Sequence, residues 1–171
     1  MVQNIKEVPY GVSDFQTMVE QNIYYVDKTM YIPELEKQAR YLIFIRPRRF
    51  GKSIFLGMLH AYYDIRTKHK FQQWFGNLWI GKHPTPLQGR YQVMHLDFSQ
   101  VGGNIDNLEE KFNFYMGVQL DGFVRDYAEF YSDELRRKVN ATQDAGGKLA
   151  LIQSEAKVKE YPLYLIIDEY D

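Results

Sequence analysis

The chain has 171 residues, 45% of them hydrophobic and 25% charged, with a formal charge of −1. That is enough for one ordinary domain with a sizeable core, and the near-neutral balance supplies no global field toward nucleic acid or anionic lipid. With no cysteine in the sequence, disulfides, cysteine-ligated zinc and thiol catalysis are excluded, as expected of a reducing cytoplasm.

The start, MVQNIKEVPY, has no apolar stretch of the secretory kind. No apolar run approaches the roughly 18 residues of a membrane span, so a soluble, cytoplasmic protein without a membrane partner is expected. Ser13 to Glu20 reads as a short helix: Ser13 and Gln16 fit a capping box, and Phe15, Met18 and Val19 form a stripe. Tyr24 to Val26 is a short β-prone run ended by Asp27 and Lys28. Pro33 opens a second helix through Lys37. Residues 41–45 read as a buried strand and residues 52–63 as a helix. Phe71, Trp74, Phe75 and Leu78 follow at helical spacing, and a Gly/Pro-rich turn region lies beyond, from Gly81 to Gly89. Tyr91 to Phe98 is the next strand. A long helical pattern runs from Asp106 towards Asn140 with a break near Ser132, and Gly146-Gly147 punctuates it before a last helix carrying Leu149, Ile152 and Ala156. Pro162 stops that helix, and Leu163 to Ile167 form the final strand. Strands alternating with long helices predict an α/β fold with a mainly parallel sheet.

The most informative stretch is YLIFIRPRRFGKS, residues 41–53. An apolar run enters a loop closed by Gly51-Lys52-Ser53, and an amphipathic helix follows at once. This is the layout of a phosphate-binding loop, in which helix N–H groups and the helix dipole favour an anion. The tripeptide alone would arise by chance in roughly one chain of this length in ten; its place between a strand and a helix makes it informative. In this role Lys52 reaches the β- and γ-phosphates and the Ser53 hydroxyl ligates Mg²⁺. The expected nucleotide-binding segment comprises Arg46, Pro47, Arg48, Arg49, Phe50, Gly51, Lys52, Ser53 and Ile54. The pattern G-x-x-x-x-G-K-[ST] wants glycine where this chain has Arg46. Either Arg46 sits extended before Pro47 with its side chain turned away, or the cradle is distorted. Arg48 and Arg49 add phosphate contacts or pair with an acid such as Asp97.

The second element is Leu163-Tyr164-Leu165-Ile166-Ile167-Asp168-Glu169. A continuous apolar run ending in two acids reads as a buried parallel strand that delivers carboxylates at its C-terminal edge, where α/β folds place ligands. Asp168 is then a Mg²⁺ ligand opposite Ser53, and Glu169 the group that orients and polarises the attacking water. Lys52 and Glu169 are the catalytic candidates, and ATP and Mg²⁺ the implied cofactors. Asp97 ends a strand and reads first as a cap. Phe71, Trp74, Phe75 and Trp79 suggest either a stacking platform for single strands or, more simply, core packing. His60, His69, His83 and His95 show no metal-ligand spacing.

The loop Arg46-Pro47-Arg48-Arg49-Phe50-Gly51-Lys52-Ser53, the upstream Tyr25-Val26-Asp27-Lys28-Thr29 and the closing Ile166-Ile167-Asp168-Glu169-Tyr170-Asp171 together resemble the bacterial AAA-ATPase-like family. The resemblance runs from Pro9 to Asp171. It implies a three-layer α/β/α P-loop fold with an additional strand between the two strands that carry the motifs. Arg48 and Arg49 match the wider pattern G-x-R-R-x-G-K of related ATPases, and Arg46 is similar to this family's own usage. Asp27-Lys28-Thr29 is part of the signature, with an ion pair or turn as its default role.

The expected organisation is a family-specific segment, residues 1–40, packed on a partial P-loop domain, residues 41–171. In the resembled class the intervening strand, a polar sensor and an arginine finger come later in sequence, and members often continue into a nuclease-like C-terminal domain. The fold is therefore expected to be incomplete at its C-terminal end. An isolated chain of this extent is expected to hydrolyse poorly, well below the enzyme median of about 10 s⁻¹. The leading expectation is ATP binding and Mg²⁺-dependent hydrolysis as the motor or switch module of a larger protein. A degenerate P-loop switch without hydrolysis, a nucleic-acid-binding element using the arginine loop, and a P-loop kinase with adjacent motif strands are the alternatives. Self-association and nucleic acid, the latter through a C-terminal domain, stay open as partners.

Overall fold

The computed structural model describes residues 6–8, 11–12, 14–38, 41–45, 47, 49–101 and 105–169. The chain divides into two compact units, residues 1–89 and 90–171.

The described part of the first unit is helical. Its helices are α1 (Phe15–Glu20), α2 (Ile32–Glu36), α3 (Lys52–Tyr63), α4 (Phe71–Phe75) and α5 (Trp79–Lys82), with 3₁₀ turns at Thr29–Tyr31 and Ile65–Lys70. Asp14 caps α1, its Oδ2 accepting from Thr17 N–H at 2.7 Å; the Ser13 of the expected capping box lies outside the described residues. Pro33 sits in the first turn of α2, where a missing N–H costs nothing. The core is aromatic. Phe15 stacks on Phe75 at 5.1 Å, and Tyr62 meets Phe75 edge-on at 5.6 Å. The Trp74 indole N–H donates to Glu20 Oε1 at 2.9 Å, which gives a buried ring a partner for its polar edge. Asp64 stops α3 and turns its buried carboxylate onto the next segment, accepting from the Arg66 backbone N–H at 2.9 Å and the Arg66 guanidinium at 3.0 Å.

Residues 41–45 correct an expectation. They form no strand, and Ile43 and Ile45 are 78% and 83% exposed. Phe44 packs, stacking on Phe55 of α3 at 4.9 Å. A strand is a pairing property: an apolar, β-branched run becomes one only where a ladder partner is available, and the described residues of this unit hold no other strand. Tyr24 to Val26 likewise joins no ladder among the described residues; Tyr24 N–H donates to Glu7 O at 2.8 Å.

The second unit is a strand–helices–strand crossover: β1 (Gln92–Asp97), α6 (Leu108–Asp126), α7 (Asp133–Ala141), α8 (Ala145–Val158) and β2 (Leu163–Asp168). The strands pair in parallel from Gln92 opposite Leu163 to Asp97 opposite Asp168, so the α/β parallel expectation holds as a small two-stranded sheet. Ser132 caps α7 and breaks the long helical pattern where expected. Gly146-Gly147 is not an interruption; both lie in the first turn of α8, where Asp144 Oδ2 accepts from Gly147 N–H at 2.6 Å. β2 is not buried on both faces: Ile166 and Asp168 are buried, whereas Leu165 is 54% exposed.

The edge of β1 turned away from β2 is closed by two tyrosines. The Tyr127 hydroxyl accepts from Val93 N–H at 2.8 Å and donates to Val93 O at 3.3 Å. The Tyr115 hydroxyl accepts from Asp97 N–H at 3.0 Å and donates to Asp97 O at 2.6 Å. Side chains thus satisfy peptide groups that an open strand edge would leave to water or to another chain. No helix among the described residues is long and apolar enough to cross a membrane.

Candidate functional site

In the first unit the loop residues Pro47 and Arg49 to Gly51 lead into α3; Arg46 and Arg48 lie outside the described residues. Phe50 N–H donates to Pro47 O at 3.3 Å and closes a turn. Arg49 is left-handed at φ 68°, a conformation that costs a non-glycine residue on the order of 1 kcal/mol. Gly51 follows at φ 74°, ψ 28°, and is the N-cap of the 12-residue α3 without a side-chain cap bond. Phe55 N–H reaches back to Gly51 O at 3.0 Å and starts the helical ladder. Glycine therefore does two things: it adopts the left-handed turn without a Cβ penalty, and it puts no side-chain acceptor of its own before the first N–H groups of α3. Lys52 and Ile54 are half-buried, and Phe50 and Ser53 exposed.

The upstream signature is a built corner of the same unit. Asp27 Oδ1 accepts from Thr29 N–H at 2.8 Å and from the Thr29 hydroxyl at 2.7 Å, and Asp27 Oδ2 accepts from Trp79 N–H at 2.7 Å. Ile80 N–H donates to Thr29 Oγ1 at 3.1 Å. Asp27 and Thr29 thus satisfy the start of α5, a turn role that agrees with their default reading.

In the second unit Asp168 ends β2 and is 6% exposed, its Oδ1 accepting from Glu169 N–H at 3.0 Å. Glu169 is exposed and left-handed at φ 52°. The sheet register sets Asp97 directly opposite Asp168, and paired residues of neighbouring strands point to the same face. Asp97 Oδ1 accepts from Ser99 N–H at 2.9 Å, so Asp97 is the cap it was first read as, in a place next to the second motif. Tyr170 and Asp171 lie outside the described residues.

The aromatic group after α3 is largely core: Trp74 is 2% exposed and Phe75 fully buried. Trp79 is the more open one and lies against His83 at 4.5 Å. His60 Nε2 stands 3.3 Å from Asp64 Oδ2. Among the described residues no group of three or more His, Asp or Glu side chains is placed to hold a metal ion. Mg²⁺ needs no such cage, since it takes one or two protein oxygens together with waters and substrate phosphate. Two features were missed in the sequence. The register of Asp97 on Asp168 needs the strand alignment, and the nearness of Lys28 to Gly51, taken up below, needs the tertiary fold.

Residues 9–171 match the model of a family described as a predicted AAA-ATPase. An uncharacterized protein in the vnfD 5′ region of Azotobacter chroococcum mcd 1 is 44% identical over 55 residues, which are 32% of this chain and 11% of that protein. The chain thus spans a small part of the curated relative it matches. No solved structure matches it.

Proposed function

The chain belongs to the AAA-ATPase-like family, and from that premise we propose that it is a Mg²⁺-dependent ATP-binding module whose hydrolysis serves as motor or switch within a longer protein. The observation that carries the reading is Gly51: left-handed, without a side-chain cap, and placed between the arginine loop and Lys52-Ser53 at the head of α3. A polyphosphate would lie in the segment Arg46 to Ile54, with helix N–H groups and the positive end of the α3 dipole facing it.

Each residue then has a role. The Lys52 ammonium neutralises the β- and γ-phosphate oxygens. The Ser53 hydroxyl and the Asp168 carboxylate would hold Mg²⁺, which when bound offsets charge on the phosphate oxygens. Glu169 accepts a hydrogen bond from the attacking water and orients it; its exposed, left-handed position at the strand end is an outlier of the kind that clusters at functional sites. The three-layer P-loop fold expected of the family belongs to this reading as well.

The test is titration of a fluorescent ATP analogue into the chain with and without Mg²⁺. Wild type should bind, Lys52→Ala should not, and Glu169→Gln in the longer protein should retain binding while losing hydrolysis. Wild type that binds no nucleotide removes the reading, and unchanged turnover in Glu169→Gln removes Glu169 from the mechanism.

A further inference from the structure

The proposed function assigns no work to Lys28 of the upstream signature, yet that residue stands at the loop. A Cβ built on Gly51 would lie 3.6 Å from Lys28 Nζ, so an ammonium from far upstream in the sequence is held beside the residue that opens α3. The position of Lys28 is built. Tyr31 N–H donates to Lys28 O at 3.2 Å, and the residues on either side are tied down through the Asp27 and Thr29 bonds to Trp79 and Ile80. The neighbouring Asp27 carboxylate is engaged by three donors, the Thr29 N–H, the Thr29 hydroxyl and the Trp79 N–H. Among the described residues no carboxylate forms an ion pair with Lys28.

The placement gathers positive charge at the head of α3. A helix N-terminus carries roughly half a positive charge, and Arg49 and Lys52 flank Gly51 in the chain. A further ammonium beside that point adds like-charge repulsion that structure alone does not require, since Asp27 and Thr29 already supply the turn. A polyanion at the loop would attract each of these positive charges and so offset the repulsion among them.

We propose that Lys28 is a phosphate-contacting residue of the nucleotide site, a cation delivered from outside the loop motif to the phosphate chain of a nucleoside di- or triphosphate. The inference rests on the reading that the loop of residues 46–54 binds nucleotide. Asp27 and Thr29 then act as positioning residues, because their bonds to α5 aim the turn that carries Lys28.

The experiment titrates the fluorescent ATP analogue, with Mg²⁺, into wild type, Lys28→Ala, Lys28→Arg and Lys52→Ala over a series of salt concentrations. Loss of a charge-assisted contact predicts about 10- to 100-fold weaker binding for Lys28→Ala. It also predicts a flatter salt dependence and recovery of most of the affinity in Lys28→Arg. The nucleotide-free melting temperature of Lys28→Ala should be unchanged or raised, because the variant removes a like charge. Binding by Lys28→Ala within about twofold of wild type, while Lys52→Ala loses binding, overturns the inference and leaves the nucleotide reading standing. Wild type that does not bind removes both. Should Lys28→Ala melt lower, Lys28→Met, which keeps the apolar stem, decides by the same binding criterion.

Discussion

Asp97 and Asp168 occupy the same rung at the C-terminal end of the parallel pair β1–β2, yet one carboxylate is exposed and the other buried. Like charges directly opposite one another in a sheet are unfavourable, and each is offset locally by a backbone donor: Ser99 N–H for Asp97, Glu169 N–H for Asp168. The two therefore separate by test. Asp97→Ala loses a cap and should cost about 1 kcal/mol in urea unfolding, whereas Asp97→Asn keeps the acceptor and should cost little. Asp168→Asn also keeps an acceptor for Glu169 N–H, so stability should change little, but the gain in nucleotide affinity on adding Mg²⁺ should disappear. An Asp168→Asn chain with an undiminished Mg²⁺ response would remove Asp168 from the proposed metal ligands.

The tyrosine closure of β1 predicts unequal costs for one chemical change. Val93 is buried, so Tyr127→Phe strands its N–H away from water and should cost about 1–3 kcal/mol. Tyr115 serves Asp97, whose end of the strand is exposed; water can replace the hydroxyl there, and Tyr115→Phe should cost under about 1 kcal/mol. Chemical denaturation of the two variants checks the order, and equal costs would mean that the hydroxyls do not act as edge partners.

Asp64 sets an acid limit on the first unit. Burial alone would raise its pKa, but hydrogen bonds from His60 and Arg66, with the charge of Arg66, outweigh burial and hold it below the ordinary carboxylate value of 3.8. A depressed folded pKa means that the unfolded chain binds the proton more readily. The stabilisation is thus fully present above about pH 4 to 5 and is lost as pH falls through 3.8 and below. Asp64→Asn should melt lower than wild type at neutral pH and should show a smaller loss of stability on acidification to that range. A wild-type acid response identical to that of Asp64→Asn would sink the assignment.

What was legible in the sequence follows the range of the physics. Helix α3 was expected at 52–63 and is found at Lys52–Tyr63, because glycine before it, apolar periodicity within it and Asp64 after it are all local signals. The strands expected at 91–98 and 163–167 are found at Gln92–Asp97 and Leu163–Asp168, and the break near Ser132 was readable for the same reason. Residues 41–45 were not: their residue types favour a strand, but whether a ladder forms depends on a partner elsewhere in the chain. The motif order at the site is local and could be read. The approach of Lys28 to Gly51 and the rung shared by Asp97 and Asp168 are tertiary facts, and nothing in their neighbouring residues announces them.

Two glycines of the α3 region should respond to alanine in opposite directions. Gly57 is in the middle of the helix, and a Cβ there would meet Phe15 at 3.8 Å, an ordinary contact distance. Gly57→Ala therefore gains helix propensity without a clash and should stabilise by up to about 1 kcal/mol. Gly51 is left-handed, and although its added Cβ would find room at 3.6 Å from Lys28 Nζ, Gly51→Ala must hold a strained φ and should destabilise by about 1–2 kcal/mol. The same Cβ would stand beside Lys28 at the head of α3, so Gly51→Ala should weaken nucleotide binding by more than its stability loss accounts for, while Gly57→Ala leaves binding unchanged. Melting curves give the first comparison and ATP-analogue titration the second; a Gly51→Ala chain that binds as tightly as Gly57→Ala would place the phosphate chain away from this corner of the loop.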